Sequence, residues 1–113
     1  MEQSELSPLD APQVIVVLAK DPTEDTVLWL GGEHDLSSVE ELMQAIATAV
    51  DCGRSDLIID LSRVGFMDST TIDQILAARS RLGAQGRKAR VRDPSRAARY
   101  LLEICDLTHL VAS

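Results

Sequence analysis

The chain has 113 residues, of which 45% are apolar and 26% charged, with a formal net charge of −7. That is the size and mixture of one globular domain, too apolar for a disordered chain and too interrupted by polar residues for a membrane-embedded one. The longest unbroken apolar run, Val14 to Ala19, falls far short of the ~20 residues of a spanning helix, and no basic region opens the N-terminus, so neither secretion nor membrane insertion is expected.

Residues 1–12 mix Glu, Gln, Ser, Pro and Asp without periodicity and are expected to form a loose tail, leaving 13–113 as the domain. Val14 to Ala19 and Thr26 to Leu30 are rich in β-branched and aliphatic residues and flank a polar, proline-containing turn, which predicts adjacent antiparallel strands. Past Gly31-Gly32, the apolar residues Val39, Leu42, Met43, Ile46 and Val50 recur at helical spacing, with Ser37 or Ser38 as cap and Gly53 as stop. Glu40 and Glu41 fall in the first turn, where the helix dipole favours anions.

Leu57 to Leu61 reads as a central strand covered on both faces, followed by a connecting loop from Ser62 to Asp68. Helical spacing returns at Ile72, Ile75, Leu76 and Leu82 and ends at Gly83 and Gly86. Arg87 to Arg92 alternates charged with small apolar residues, as a half-buried edge strand does. Asp93 and Pro94 look like the cap and first residue of a last helix, whose buried stripe is Ala98, Leu101, Leu102 and Cys105. The order β-β-α-β-α-β-α implies an α/β domain, a mixed sheet with helices packed on it.

Charge is unevenly placed. Residues 1–60 hold 13 acidic and 2 basic side chains, whereas residues 61–113 hold 5 acidic and 9 basic ones. The basic stretch from Arg79 to Arg99 has only Tyr100 as a nearby aromatic, so it lacks a stacking platform, and the acidic whole repels a phosphate backbone. Direct DNA or RNA binding is therefore not expected.

Catalytic chemistry is sparse. His34 and His109 are the only histidines, neither beside a serine or cysteine in a hydrolase arrangement, and there is no Gly-x-Ser-x-Gly elbow, Walker loop or GxGxxG turn. No catalytic residue, cofactor or metal site is expected. The only cysteines, Cys52 and Cys105, form no disulfide framework and have no metal-ligand spacing, which suits the reducing cytoplasm; a redox lock between them is the lesser reading beside a buried core role for Cys105. Trp29, the sole tryptophan, is expected in the core.

The unusual segment is Phe66-Met67-Asp68-Ser69-Thr70-Thr71-Ile72-Asp73, three consecutive hydroxyls where a loop feeds a helix. Capping explains one of them: Asp68, Ser69 or Thr70 can bond the free N–H groups, and Thr70-x-x-Asp73 reads as a capping box. A hydroxyl at an exposed helix N-terminus is also a good phosphoacceptor, because the dipole and free N–H groups stabilise the added dianion.

The stretch Asp56-Leu57-Ile58-Ile59-Asp60-Leu61-Ser62-Arg63-Val64-Gly65-Phe66-Met67-Asp68-Ser69-Thr70 resembles the strand-loop-helix signature of STAS domains, specifically the bacterial anti-sigma-factor antagonists. Gly32-Glu33-His34-Asp35-Leu36 is similar to that family's Gly-Glu-Leu-Asp segment, and Pro94 to Leu110 resembles its C-terminal helix and Leu-rich end. The resemblance implies a STAS-like fold with a mixed sheet of four to five strands. It also implies that Ser69 is the phosphorylation site, with Thr70 as second candidate, and that Asp35, Asp68, Ser69, Thr70 and Thr71 bind the partner. That partner would be an anti-sigma serine kinase of the histidine-kinase-like ATPase type, with a phosphatase to reset the switch. The family commonly continues with Gly-Leu-Gly after the hydroxyl pair, whereas Thr71-Ile72-Asp73 stands here.

Two alternatives compete. A response-regulator receiver would need an acidic pair at the end of its first strand to hold Mg²⁺, and this strand ends in Leu18-Ala19-Lys20. A STAS docking module of a transporter or stress-signalling assembly would use the same fold with no phospho-switch.

Overall fold

The computed structural model describes residues 11–111; the expected tail, 1–12, lies almost wholly outside them. Four strands form one sheet in the order β1-β2-β3-β4: β1 (Gln13–Val17), β2 (Thr26–His34), β3 (Leu57–Met67) and β4 (Ala89–Arg92). β1 runs antiparallel to β2, while β2, β3 and β4 are parallel, so the sheet is mixed as expected. The parallel steps are bridged by α1 (Val39–Cys52) and α2 (Ser69–Gly83), and α3 (Arg96–Ile104) packs against β3.

Alternation on β2 shows where the core lies. Leu28 and Leu30 are fully buried in one cluster with Leu42, Ile46 and Val50 of α1 and Ile72, Ile75 and Leu82 of α2. Val27 and Trp29, on the other face of the strand, are half-buried. Leu57 to Leu61 is buried throughout, as expected of a central strand. Burying a Leu or Ile side chain contributes about 1.5–3 kcal/mol, so this cluster is the main source of stability.

The structure corrects several expectations. Residues 62–67 are not a loop: β3 continues to Met67, and β2 continues beyond Leu30 to His34. Register shifts between Trp29 and Gly31 and between Gly32 and Glu33 interrupt the ladder. They replace the two-residue alternation that would have announced a strand, and Gly32 adopts φ +74°, which suits glycine. The last helix is capped by Ser95, whose Oγ accepts from the Ala98 N–H at 3.1 Å, and not by Asp93, which takes a left-handed φ of +49°. Cys105 is the half-buried C-cap of α3 instead of part of its buried stripe, and Cys52 is exposed; both are free thiols. Trp29 is no core residue: the guanidinium groups of Arg63 and Arg92 lie 5.0 and 5.1 Å from its ring centroid. Asp60 beside it is buried and accepts from Arg92 Nε at 2.8 Å.

Candidate functional site

The two central parallel strands end side by side, with His34 paired to Met67, and each is followed at once by an aspartate. Both aspartates cap a helical turn. Asp68 Oδ1 accepts the N–H groups of Thr70 at 3.0 Å and Thr71 at 3.4 Å, opening α2 directly. Asp35 Oδ1 accepts the Ser37 N–H at 2.8 Å and opens a short 3-10 turn, Leu36–Ser38, ahead of α1. The Ser37 hydroxyl and amide hold the Asp35 carboxyl below its usual range.

The two ends are tied together through the backbone of His34. Its carbonyl accepts the Asp68 N–H at 3.2 Å and the Thr71 hydroxyl at 3.4 Å, which fixes the start of α2 against the end of β2. The His34 ring, fully buried, completes the brace: Nε2 lies 2.9 Å from the Gly31 carbonyl, and Nδ1 lies 3.1 Å from Ser38 Oγ. Ser38 Oγ in turn lies 3.1 Å from the Asp35 carbonyl. Ser38 therefore occupies the α1 cap position without capping it, because its hydroxyl serves this brace.

With Asp68 as the cap, Ser69 is free of that duty. It is the first residue of α2 and exposed, and Thr70 beside it is half-buried. The Thr70-x-x-Asp73 box does not form, since Asp68 already takes the free N–H groups. Thr71 corrects the expected partner-facing set: with 2% of its surface exposed and its hydroxyl on the His34 carbonyl, it points inward. The 100° turn per residue explains this, placing Thr71 and Ile72 on the core side and Ser69 and Asp73 outside. Thr71 is thus a structural residue at the site, its side chain enclosed in the domain.

Two apolar side chains missed in the sequence stand at this end of the sheet. Leu36, directly after Asp35, is 71% exposed, and Phe66, two residues before Asp68, is 48% exposed. Large apolar groups left in water beside polar caps form the kind of surface that protein partners cover. For Leu36 the signal was available, an apolar residue inside a cap sequence whose helical stripe does not need it; Phe66 lies in the part of β3 that reads as a loop.

The family model described as "Mlab, STAS domain" matches residues 18–112. The chain belongs to the STAS-domain family. Over 75 residues it is 35% identical to the anti-sigma-F factor antagonist RsfB of Mycobacterium tuberculosis, a match that covers 66% of this chain and 62% of RsfB. The aligned part thus spans under two thirds of that relative's length. A crystal structure of an anti-sigma factor antagonist from Mycobacterium paratuberculosis superposes with TM-score 0.77 at 27% identity, covering 94% of this chain and 87% of that one. SpoIIAA, an anti-sigma factor antagonist, is similar in both of its forms. The unphosphorylated form gives TM-score 0.73 at 26% identity over 90% of this STAS domain and 86% of SpoIIAA. The phosphorylated form, from Bacillus, gives 0.67 at 25% over 90% and 89%. The α/β architecture with a four-stranded mixed sheet is the one these structures share.

Among the described residues, no helix is long and apolar enough to cross a membrane, and no group of three or more His, Cys, Asp or Glu side chains is placed to hold a metal ion.

Proposed function

We propose that this STAS domain is an anti-sigma-factor antagonist switched by phosphorylation of Ser69. The observation that carries the reading is the exposed Ser69 hydroxyl at the first position of α2, directly after an aspartate that has taken over the cap. The similarity to RsfB and to SpoIIAA, which exists in phosphorylated and unphosphorylated forms, supports it.

In this reading the unphosphorylated domain docks on an anti-sigma serine kinase through Asp35, Asp68, Ser69 and Thr70, with Leu36 and Phe66 supplying apolar contact, and the kinase releases its sigma factor. Transfer of the γ-phosphoryl group from ATP to Ser69 Oγ replaces the hydroxyl proton and leaves ADP. The phosphoserine adds about −1.5 to −2 charge beside Asp68 and within a docking surface. Repulsion and desolvation then weaken the complex without refolding the domain, and a phosphatase restores it.

Binding of wild-type, Ser69→Asp and Ser69→Ala protein to the kinase, measured by calorimetry with ADP present, tests this. Ser69→Ala should bind like wild type, and Ser69→Asp should bind at least about tenfold more weakly, a loss of about 1.4 kcal/mol. Equal affinity of all three would reject the switch and favour a docking module in which Asp68-Ser69 only starts a helix.

A further inference from the structure

The sheet has two edges, and they are built differently. On β4 the residues read Ala-Arg-Val-Arg, and Val91 is additionally bridged, in parallel, to Val111. Alternating arginines and a covering segment are what keep an edge from pairing with another chain. On β1 the residues read Gln-Val-Ile-Val-Val, with no charge, proline or glycine, and β2 is the strand's only ladder partner among the described residues. Its outer row of N–H and C=O groups is a template, and its composition is that of a segment that pairs readily.

We propose that a second copy of this chain docks on the outer edge of β1, pairing the two strands antiparallel about a twofold axis at Ile15 to make a continuous eight-stranded sheet. The strand is self-complementary in that register. Ile15 faces Ile15 of the second copy, Val14 faces Val16, and Gln13 faces Val17, so no like charges oppose one another. Val14 and Val16 stay packed on their own core. Ile15 and Val17, 50% and 52% exposed, lie on the open face beside Trp29 and Val27, their partners in the β1–β2 register. Pairing carries this apolar stripe across the axis and removes part of it from water. Five residues per strand make a small contact, so the association is concentration-dependent and not obligate.

The test is sedimentation velocity on the full chain over about 5 to about 500 µM. Wild type should shift from monomer to dimer across this range. Ile15→Lys places two ammonium groups directly opposite and should weaken dimerisation at least about tenfold, as should Ile15→Glu. An equimolar mixture of Ile15→Lys and Ile15→Glu should recover the dimer as a mixed species. Arg90→Ala on the other edge should leave the equilibrium unchanged, and circular dichroism of each variant confirms folding. If Ile15→Lys does not fold, Val17→Lys, which faces Gln13 of the second copy, serves instead and should also weaken the dimer. A wild type monomeric throughout overturns the proposal, and protected β1 amides in such a monomer would assign the edge to another segment of the same chain. A dimer that survives Ile15→Lys, or that the charge-paired mixture fails to restore, overturns the pairing about Ile15.

Discussion

The ends of β2 and β3 repeat one device with different outcomes. In each, an aspartate follows the paired residues His34 and Met67 and accepts an N–H two positions on, from Ser37 at 2.8 Å and from Thr70 at 3.0 Å. After β2 the nearby hydroxyls are consumed: Ser37 bonds Asp35, and Ser38 joins the His34 brace. After β3 the inward hydroxyl, Thr71, takes the brace role, and Ser69 is left exposed at the helix start. The same cap thus makes a rigid corner in one strand and an available acceptor in the other. Capping and the proposed phospho-acceptance are compatible because they fall to different residues, Asp68 and Ser69.

The two corners share the His34 brace, which a single substitution removes in part. His34→Ala removes a fully buried ring together with its bonds to the Gly31 and Gln13 carbonyls and to the Ser38 hydroxyl, and should cost about 3 kcal/mol in urea unfolding. A change within about 0.5 kcal/mol would show that the ring adds little and that the tie between the corners rests on the His34 carbonyl, which accepts from Asp68 and Thr71 and survives in the variant.

Asp60 tests the open face beneath them. Burial pushes its carboxyl up, but bonds from the Ser62 hydroxyl and amide and from the Arg92 guanidinium outweigh this and hold it below the usual range. A lowered folded value means that the carboxylate stabilises the fold above the unfolded value, about 3.9, and that this contribution disappears as pH falls through the folded value. Asp60→Asn should therefore cost about 2 kcal/mol at pH 7, and its deficit against wild type should shrink below about pH 4. A deficit independent of pH would mean that shape, not charge, holds Arg92 and Trp29 in place.

The two caps differ in how much helix each one starts. Asp68→Ala should cost about 1 kcal/mol, since two N–H groups at the start of a 15-residue helix lose their acceptor. Asp35→Ala, which affects only a three-residue 3-10 turn, should cost less than Asp68→Ala in the same thermal unfolding series. Ser69→Ala should change stability by less than about 0.5 kcal/mol, the signature of an exposed residue without a structural task. A larger loss would make Ser69 part of the cap and weaken its standing as an acceptor.

Much of this was legible in the sequence, for physical reasons. Val39, Leu42, Ile46 and Val50 could lie on one face only in a helix, and Leu57 to Leu61 needed cover on both sides. The far ends of β2 and β3 were not legible, because bulges around Gly31 and Gly32 destroy the two-residue alternation there. Nor could spacing decide which of Asp68, Ser69 and Thr70 caps α2, since all three side chains are competent and only the backbone geometry chooses. His34 was hidden for a related reason: an imidazole in a polar segment gives no sign of its depth until the fold supplies a carbonyl on one side and a hydroxyl on the other. Thr71 looked available because three hydroxyls in a row give no hint of which faces inward.

Phosphorylation at Ser69 is tested most directly by incubating the domain with the proposed anti-sigma kinase and ATP and locating the phosphate by fragmentation mass spectrometry. A single phosphate should appear on Ser69 and be absent in Ser69→Ala. A phosphate on Ser37 or Thr70, or one still added in full to Ser69→Ala, would contradict it.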